Sequence, residues 1–166
     1  MKAIFVVGFM GAGKSTVGRA LARRLGWDYF DVDEEIEAAE RSAISDIFAA
    51  RGEAEFRRIE TETLRRLLEP GKPAVLALGG GAFAEPANRD LLRGRGLTIW
   101  LDCPFETVQR RVGQATHRPL ARDPERFAEL YRARREHYSA ADVRIAIESD
   151  DPEATVDAIL EKAGLP

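Results

Sequence analysis

The chain has few of the residues that would define several other classes of protein. Its 166 residues include a single cysteine, Cys103, which excludes an internal disulfide and which we expect to be a small buried apolar residue. Only four of its 25 basic residues are lysines, at positions Lys2, Lys14, Lys72 and Lys162. A lysine inside a recognisable motif therefore stands out from the background of this sequence.

Strong charge and long apolar runs are also missing. The formal net charge is -3, so no strong basic field favours binding to nucleic acid or to a membrane surface. No apolar run approaches the roughly 20 residues that cross a bilayer. The first strand is predicted to begin at Ala3, so we expect no signal peptide. We expect a cytoplasmic protein, and a monomer, since no extra apolar surface is evident.

The most informative segment that is present covers residues 8–16, Gly-Phe-Met-Gly-Ala-Gly-Lys-Ser-Thr, directly after an apolar run. Glycines and a Lys-Ser pair at this spacing, between a strand and a helix, are typical of a phosphate-binding loop. Backbone N–H groups and the helix N-terminus would converge on a phosphate, Lys14 would reach the outer phosphates, and the Ser15 hydroxyl would ligate Mg²⁺. A glycine-rich turn that binds nothing is the weaker alternative. The segment predicts a nucleoside triphosphate site.

Short apolar runs alternate with longer amphipathic stretches along the chain. We predict strands at residues 3–7, 27–30, 74–78, 97–101 and 143–147, and helices at 14–25, 34–50, 56–68, 86–93, 105–112, 124–138 and 152–163. This alternation predicts a parallel sheet covered by helices on both faces. Residues 1–166 show no repeat and no second domain, so we expect a single domain.

Two regions interrupt the alternation. Two helices without a strand lie between Phe30 and Ala74, which predicts a helical insertion on the sheet. Residues 113–124 are polar and basic, as in a long surface loop or in a lid that excludes water from a transferring phosphoryl group. Because a phosphate-binding loop is present, we favour the lid.

Asp31 and Asp33 follow the second predicted strand. On an extended chain they would point the same way, at the edge where α/β sheets bind ligands. Phosphoryl transfer uses carboxylates to hold Mg²⁺ and to orient or deprotonate the attacking hydroxyl. Alternatively, Asp33 only caps the helix that begins at Glu34. The residues alone leave both readings open.

Arginines and glycines further along the chain are candidate ligands for anions. Helical spacing allows ion pairs on a solvated face, between Arg57 and Glu53 or Thr61, and between Arg58 and Glu55 or Glu62. A guanidinium also suits a substrate carboxylate. The run Gly79-Gly80-Gly81 indicates either close approach of the backbone to a ligand or a flexible turn.

Basic residues also bracket the predicted lid. Arg118 could be delivered to the transferring phosphoryl group by lid closure, whereas His117 is more typical of a polar surface residue. In the basic helix of residues 124–138, one arginine is expected to face the cleft and the others solvent.

Taken in order, these segments resemble the shikimate kinase family from Ala3 to Ala163. The motifs that carry the resemblance are Gly8-x-x-Gly11-x-Gly13-Lys14-Ser15-Thr16, Asp31-x-Asp33, Phe56-Arg57-Arg58-x-Glu60, Gly79-Gly80-Gly81, Arg118-Pro119-Leu120 and Arg134-x-x-x-Tyr138. Many ATPases share the loop, but the later motifs in this order are more specific. The resemblance implies an α/β, three-layer P-loop kinase fold with a five-stranded parallel sheet flanked by helices. It also implies a helical substrate-binding region at about residues 32–61 and a lid at about 112–124.

The same resemblance implies transfer of the γ-phosphoryl group of ATP to the 3-hydroxyl of shikimate, with Mg²⁺ as cofactor, in aromatic amino-acid biosynthesis. ATP would be bound by Gly11, Ala12, Gly13, Lys14, Ser15, Thr16, Arg111 and Arg118, with Arg111 stacking near adenine. Ser15 would ligate Mg²⁺, with Asp31 in the outer magnesium shell. Asp33 would hold the substrate hydroxyls and serve as the candidate base, while Lys14 and Arg118 would stabilise charge on the phosphoryl group.

On the acceptor side, the resemblance implies that Arg57 and Arg134 bind the shikimate carboxylate beside Gly79, Gly80 and Gly81. Arg58 would then be the structural member of its pair. The acidic residues 149–152, which by position would border adenine, depart from the family pattern, in which a basic residue can occur.

Two other functions compete with this reading. A related small-molecule kinase, such as one for gluconate or a nucleoside monophosphate, would use a similar set of residues, because gluconate is also a compact hydroxylated acid. A GTPase-like switch would require Asp-x-x-Gly after a strand and an Asn/Thr-Lys-x-Asp motif, and the sequence contains neither.

Overall fold

The structure is a computed structural model that describes residues 3–69, 71–113 and 123–166. These residues form the strands β1 (Ala3–Val7), β2 (Asp28–Asp31), β3 (Ala74–Ala77), β4 (Leu97–Asp102) and β5 (Val143–Ala146). They also form the helices α1 (Lys14–Leu25), α2 (Val32–Glu40), α3 (Ile44–Leu68), α4 (Pro86–Leu92), α5 (Phe105–Gly113), α6 (Pro124–Tyr138) and α7 (Pro152–Ala163). A short 3₁₀ turn, Ala82–Ala84, follows the glycines after β3.

The predicted five-stranded parallel sheet is confirmed, with the strand order β2-β3-β1-β4-β5. All five residues of the central strand β1 are buried. Since successive side chains of a strand point to opposite faces, both faces of the sheet are covered, as in a three-layer α/β fold. The carboxyl ends of all five strands lie at one edge, which places the loop after β1, Asp31 of β2 and the glycines after β3 close together.

The prediction of one continuous helix over residues 34–50 is wrong. Helix α2 ends at Glu40, Arg41 adopts a left-handed conformation with φ 52°, and α3 begins at Ile44. The Glu37 side chain stabilises this break, because its Oε2 accepts a hydrogen bond from the Ile44 backbone N–H at 3.0 Å. Helix α3 then continues through a kink at Gly52, where φ is 82°, and so includes the predicted helix 56–68. The helical insertion itself is confirmed.

Other elements lie close to their predicted bounds. Helices α1, α6 and α7 match residue for residue, and each strand is shifted by at most one residue at either end. Cys103 follows β4 and is buried, as expected. Across the part of the chain that the structure describes, no helix combines the length and apolar character that a membrane span requires.

Candidate active site

An open cleft of about 1450 Å³ lies at the carboxyl edge of the sheet. Its lining brings together most of the sequence-predicted site residues, namely Gly11, Ala12, Gly13, Lys14, Ser15, Thr16, Asp31, Asp33, Arg57, Gly79, Gly80, Gly81, Arg111 and Arg134. The predicted lid residues 114–122, including Arg118, lie outside the described residues. One cleft therefore joins the phosphate-binding loop to the helical insertion and to α6.

The loop after β1 has the backbone that its glycines predict. Gly11 and Gly13 have φ values of 81° and 94°, in the left-handed region that favours glycine. Gly13 is the N-cap of α1, where no side chain caps the helix and the first turn contains no acidic residue. The N-terminus of α1 thus presents backbone N–H groups and the positive end of the helix dipole to the cleft. In this arrangement Lys14 Nζ donates to the carbonyl oxygens of Gly8 at 2.8 Å and Phe9 at 3.1 Å.

Asp31 links the phosphate-binding loop to α2. Its Oδ2 accepts a hydrogen bond from the Ser15 hydroxyl at 2.7 Å, and its Oδ1 caps α2 by accepting from the Glu34 backbone N–H at 3.2 Å. A hydroxyl and a carboxylate are hard oxygen donors of the kind that Mg²⁺ takes together with phosphate oxygens and water. Within residues 3–69, 71–113 and 123–166, no cluster of three or more His, Cys, Asp or Glu could hold a metal alone. A site that relies on substrate phosphates fits this donor set.

Asp33 lies in the first turn of α2, so the expectation that both aspartates sit on extended chain is wrong. The helix cap is Asp31, which removes the alternative that Asp33 is present only as a cap. The Asp33 carboxylate instead packs against Gly79, where a Cβ would come within 3.1 Å of both of its oxygens. Burial, followed by the nearby charge of Asp31, raises the pKa of Asp33, and the positive charges of Lys14 and Arg57 partly oppose this rise. A raised pKa makes Asp33 a stronger base while leaving it close to two cations.

Two guanidinium groups meet at Gly81. A Cβ built at this residue would lie less than 3.0 Å from Nη2 of Arg57 and from Nη1 of Arg134, although the two arginines come from α3 and α6. An alanine here would therefore push at least one of these two flexible side chains away from Gly81. The Nε of Arg57 is buried and has no hydrogen-bond partner in the described part of the chain. Two converging guanidiniums can together bind a carboxylate, and Nε of Arg57 lies 3.9 Å from Glu85 Oε1.

Glu60 is a site residue to which the residue pattern alone assigned no role. Its carboxylate is completely buried and accepts hydrogen bonds from Arg57 Nη1 at 3.0 Å and from Asn88 Nδ2 at 3.2 Å. Asn88 in turn accepts from the Thr61 hydroxyl at 2.6 Å and donates to the Ala82 carbonyl at 2.9 Å. This network holds Arg57 in the cleft. The alternative pairing of Arg57 with Glu53 is present only as a longer contact of 3.7 Å.

Burial raises the pKa of Glu60 from 4.5 to about 7, against the opposing charge of Arg57. Between these two values the folded chain binds more protons at this carboxyl than the unfolded chain does. The contribution of Glu60 to folding stability is therefore fully present below about pH 4.5 and is lost as the pH rises towards 7.

Arg111 connects the phosphate-binding loop to the acidic segment before α7. Its Nη1 donates to the Gly11 carbonyl at 2.9 Å, and its Nη2 donates to Asp150 Oδ1 at 2.8 Å. Arg110 also pairs with Asp150, at 3.3 Å. Hydrogen bonding to Arg111, followed by the charge of Arg110, lowers the pKa of Asp150. Residues 149–152 are acidic where the family pattern can have a basic residue, and one of them, Asp150, pairs with two arginines of α5.

The remaining arginines separate into surface and anchoring roles. Arg58 is exposed and pairs with Glu55 at 2.6 Å, one of its predicted pairings. The expectation that the arginines of α6 other than the cleft-facing one point to solvent is wrong for Arg135, which binds the buried Asp102.

Comparisons with known proteins agree with this geometry. The family model described as shikimate kinase matches residues 10–163. The chain is 45% identical to the shikimate kinase of Paramagnetospirillum magneticum, over 96% of this chain and 83% of that protein. It is 42% identical to the shikimate kinase of Persephonella marina, over 96% of this chain and 98% of that protein.

Solved structures give the same result. The crystal structure of shikimate kinase from Aquifex aeolicus superposes with a TM-score of 0.87 at 38% identity, covering 98% of this chain and 96% of that one. Shikimate kinase from Acinetobacter baumannii, solved in complex with shikimate, superposes with a TM-score of 0.89 at 36% identity, covering 97% and 92%. A sugar kinase from Janibacter, at 18% identity and a TM-score of 0.60, shares the fold alone. The chain belongs to the shikimate kinase family.

Proposed function

We propose that this protein transfers the γ-phosphoryl group of ATP to the 3-hydroxyl of shikimate, giving ADP and shikimate 3-phosphate. One observation carries the proposal. A single cleft holds a phosphate-binding loop and a pair of guanidiniums that converge on Gly81, and Asp33 is close enough to Lys14 and Arg57 for both charges to act on its pKa. Candidate groups for binding a carboxylate, for accepting a proton and for binding phosphate thus line one cleft.

On the acceptor side, Arg57 and Arg134 bind the shikimate carboxylate, and the backbone of residues 79–81 lies against the ring. Because the shikimate ring fixes the distance between its carboxylate and its 3-hydroxyl, binding of the carboxylate by these arginines presents the hydroxyl to Asp33. The hydroxyl proton passes to the Asp33 carboxylate as the hydroxyl oxygen forms its bond to the γ-phosphorus. The bond between the γ-phosphorus and the β,γ-bridging oxygen breaks, and its electron pair leaves with ADP.

On the phosphate side, residues 11–16 bind the triphosphate through backbone N–H groups, Lys14 and the N-terminus of α1. A loose phosphoryl transition state asks the protein mainly for alignment and charge stabilisation. Lys14 supplies charge at the transferring group, and we assign a second charge to Arg118 in a lid at residues 112–124. Arg111 borders the adenine side, where its pairing with Asp150 fixes its position.

Mg²⁺ is the cofactor that this site fits. We propose that Ser15 ligates it and that Asp31, 2.7 Å from the Ser15 hydroxyl, holds it through water in the outer shell. When bound, the ion neutralises charge on the β- and γ-phosphates. We further propose that the chain acts as a single domain and a monomer in the cytoplasm, binding ATP and shikimate but neither nucleic acid nor membranes.

An assay of ADP release tests the proposed reaction. ADP should form only when shikimate, ATP and Mg²⁺ are all present, and gluconate supplied at the same concentration should support at most a small fraction of that rate. Faster release with gluconate would identify the related sugar-acid kinase instead.

Asp33→Asn tests the assignment of the base. The variant should lose turnover while its ATP affinity, measured by calorimetry, stays within about twofold of wild type. An equal loss of ATP affinity would contradict the role of Asp33. Arg57→Ala should chiefly raise the KM for shikimate.

A further inference from the structure

Helix α6 carries side chains to two different places. Leu130 and Arg134 line the cleft, and Tyr138, four residues further on, donates a hydrogen bond to the Gly80 carbonyl at 2.5 Å. Tyr131 and Arg135 are also four residues apart, so they share a different face of the helix. That face contacts the carboxyl end of β4, outside the cleft.

A buried carboxylate anchors this second face. Asp102, the last residue of β4, is 6% exposed and accepts from both terminal nitrogens of Arg135, with Nη2 at 3.2 Å from Oδ2. Arg144 of β5 donates to the same Oδ2 through Nε at 2.7 Å. Although burial acts to raise the pKa of Asp102, the hydrogen bonds from the two arginines outweigh it and hold the pKa below its usual range.

Further contacts restrict Arg135 at the same point. Its guanidinium lies 4.9 Å from the centre of the Trp100 ring and donates to the Tyr131 hydroxyl at 3.2 Å. That hydroxyl donates to the Cys103 carbonyl at 2.6 Å. Arg144 lies over the Trp100 ring as well, at 5.5 Å. The two arginines therefore share a carboxylate and an aromatic ring, but only Arg135 belongs to α6.

The rotation of α6 matters because Arg134 is the neighbour of Arg135 in sequence. Side chains reach about 5–6 Å from a helix axis, so a rotation of about 20° would move a guanidinium by roughly 2 Å. Hydrogen bonds exist only within a window of about 0.5 Å. A rotation of this size would separate Arg134 from the point at Gly81 where it meets Arg57.

We propose that Arg135 is a positioning residue for shikimate binding, because its bidentate contact with Asp102 fixes α6 at the rotation that places Arg134 opposite Arg57. An ion pair with a buried carboxylate can contribute little net stability and still select one arrangement among several. The inference rests on the proposed function, since it assumes that Arg134 binds the shikimate carboxylate.

The test compares Arg135→Met with Arg144→Met. Each variant removes one of the two arginines from Asp102 and one stacking contact from Trp100, but only the first removes a contact made by α6. Arg135→Met should raise the KM for shikimate about tenfold while kcat and the KM for ATP change less than twofold. Arg144→Met should leave the KM for shikimate within twofold of wild type. Arg135→Lys, which keeps the charge but has a single nitrogen for Asp102, should give an intermediate KM, and it carries the test if Arg135→Met does not fold.

A double variant separates positioning from general loosening. In an Arg134→Ala background, adding Arg135→Met should not change the KM for shikimate further, because the residue through which it acts is already gone. An unchanged KM in Arg135→Met, an equal rise in Arg144→Met, or additive effects in the double variant would each overturn the inference. A wild-type protein without shikimate-dependent ADP release would instead overturn the proposed function.

Discussion

Replacing Gly81 by alanine provides a direct test of the proposal that Arg57 and Arg134 bind the substrate carboxylate. The backbone at Gly81 has φ -98° and ψ -7°, which alanine adopts without strain, so any effect must come from the added methyl group. That methyl would lie less than 3.0 Å from nitrogens of both Arg57 and Arg134. At least one guanidinium has to move away from the point where the two now meet.

The size of the effect follows from what a displaced guanidinium loses. A hydrogen bond to a charged group contributes about 1.5–3 kcal/mol, and about 1.4 kcal/mol corresponds to a tenfold change in affinity. Displacing one arginine from the substrate carboxylate should raise the KM for shikimate by about 10- to 100-fold. The phosphate-binding loop is untouched, so the KM for ATP should stay within about twofold of wild type.

The assay is steady-state ADP release, with shikimate varied at saturating ATP and ATP varied at saturating shikimate. A thermal unfolding curve of Gly81→Ala confirms that the variant is folded. An unchanged KM for shikimate would show that the two guanidiniums do not bind the substrate at Gly81. A parallel rise in both KM values would show a general distortion of the cleft rather than a local one.

The remaining predictions concern stability and the metal. Glu60→Gln removes the carboxyl with a pKa of about 7. Between pH 5 and 7, the unfolding free energy measured by urea titration should therefore fall less in this variant than in wild type, and the two falls should differ by up to about 3 kcal/mol. An identical dependence on pH in both proteins would contradict the shifted pKa. Ser15→Ala should weaken ATP binding about tenfold in the presence of Mg²⁺ and leave it within twofold of wild type without Mg²⁺, as measured by calorimetry. A loss of ATP affinity that does not depend on Mg²⁺ would count against Ser15 as a ligand of the ion. Tyr138→Phe removes the donor to the Gly80 carbonyl and should lower the free energy of unfolding by about 1 kcal/mol. This loss corresponds to a fall of about 2–4 °C in Tm. An unaltered Tm would mean that this hydrogen bond contributes nothing to stability.

Local sequence signals were enough to predict most of the fold. Helix α7 begins with Pro152 at its first turn and ends at Gly164, which adopts the left-handed conformation of a C-cap. Helix α1 likewise ends at Gly26. The break between α2 and α3 has no such signal, because it occurs at Arg41 and Ser42 without a glycine or a proline. A glutamate side chain from the preceding helix turn stabilises that break, and this contact has no sequence signature.

The residues of the candidate site also differ in how well the sequence predicts them. The residues that we propose to bind phosphate or substrate belong to short motifs with a fixed spacing, so the resemblance could name them. The contact between Glu60 and Asn88 joins residues 28 positions apart, and that between Asp102 and Arg135 joins residues 33 positions apart. Such pairs form only when the helices pack on the sheet, and a single sequence does not reveal which of many charged residues will meet. The proposed reacting residues are therefore easier to identify from the sequence than the residues that hold them in position.

The carboxylate of Asp31 has one oxygen on the Ser15 hydroxyl and the other on the first turn of α2. A substitution at position 31 that is meant to change the proposed Mg²⁺ site therefore also affects the start of α2. A substitution that removes the carboxylate proposed to hold Mg²⁺ through water also removes the cap of the helix that carries Asp33, the proposed base. Serine or asparagine at position 31 would keep a side chain that can cap α2, whereas an apolar residue would not.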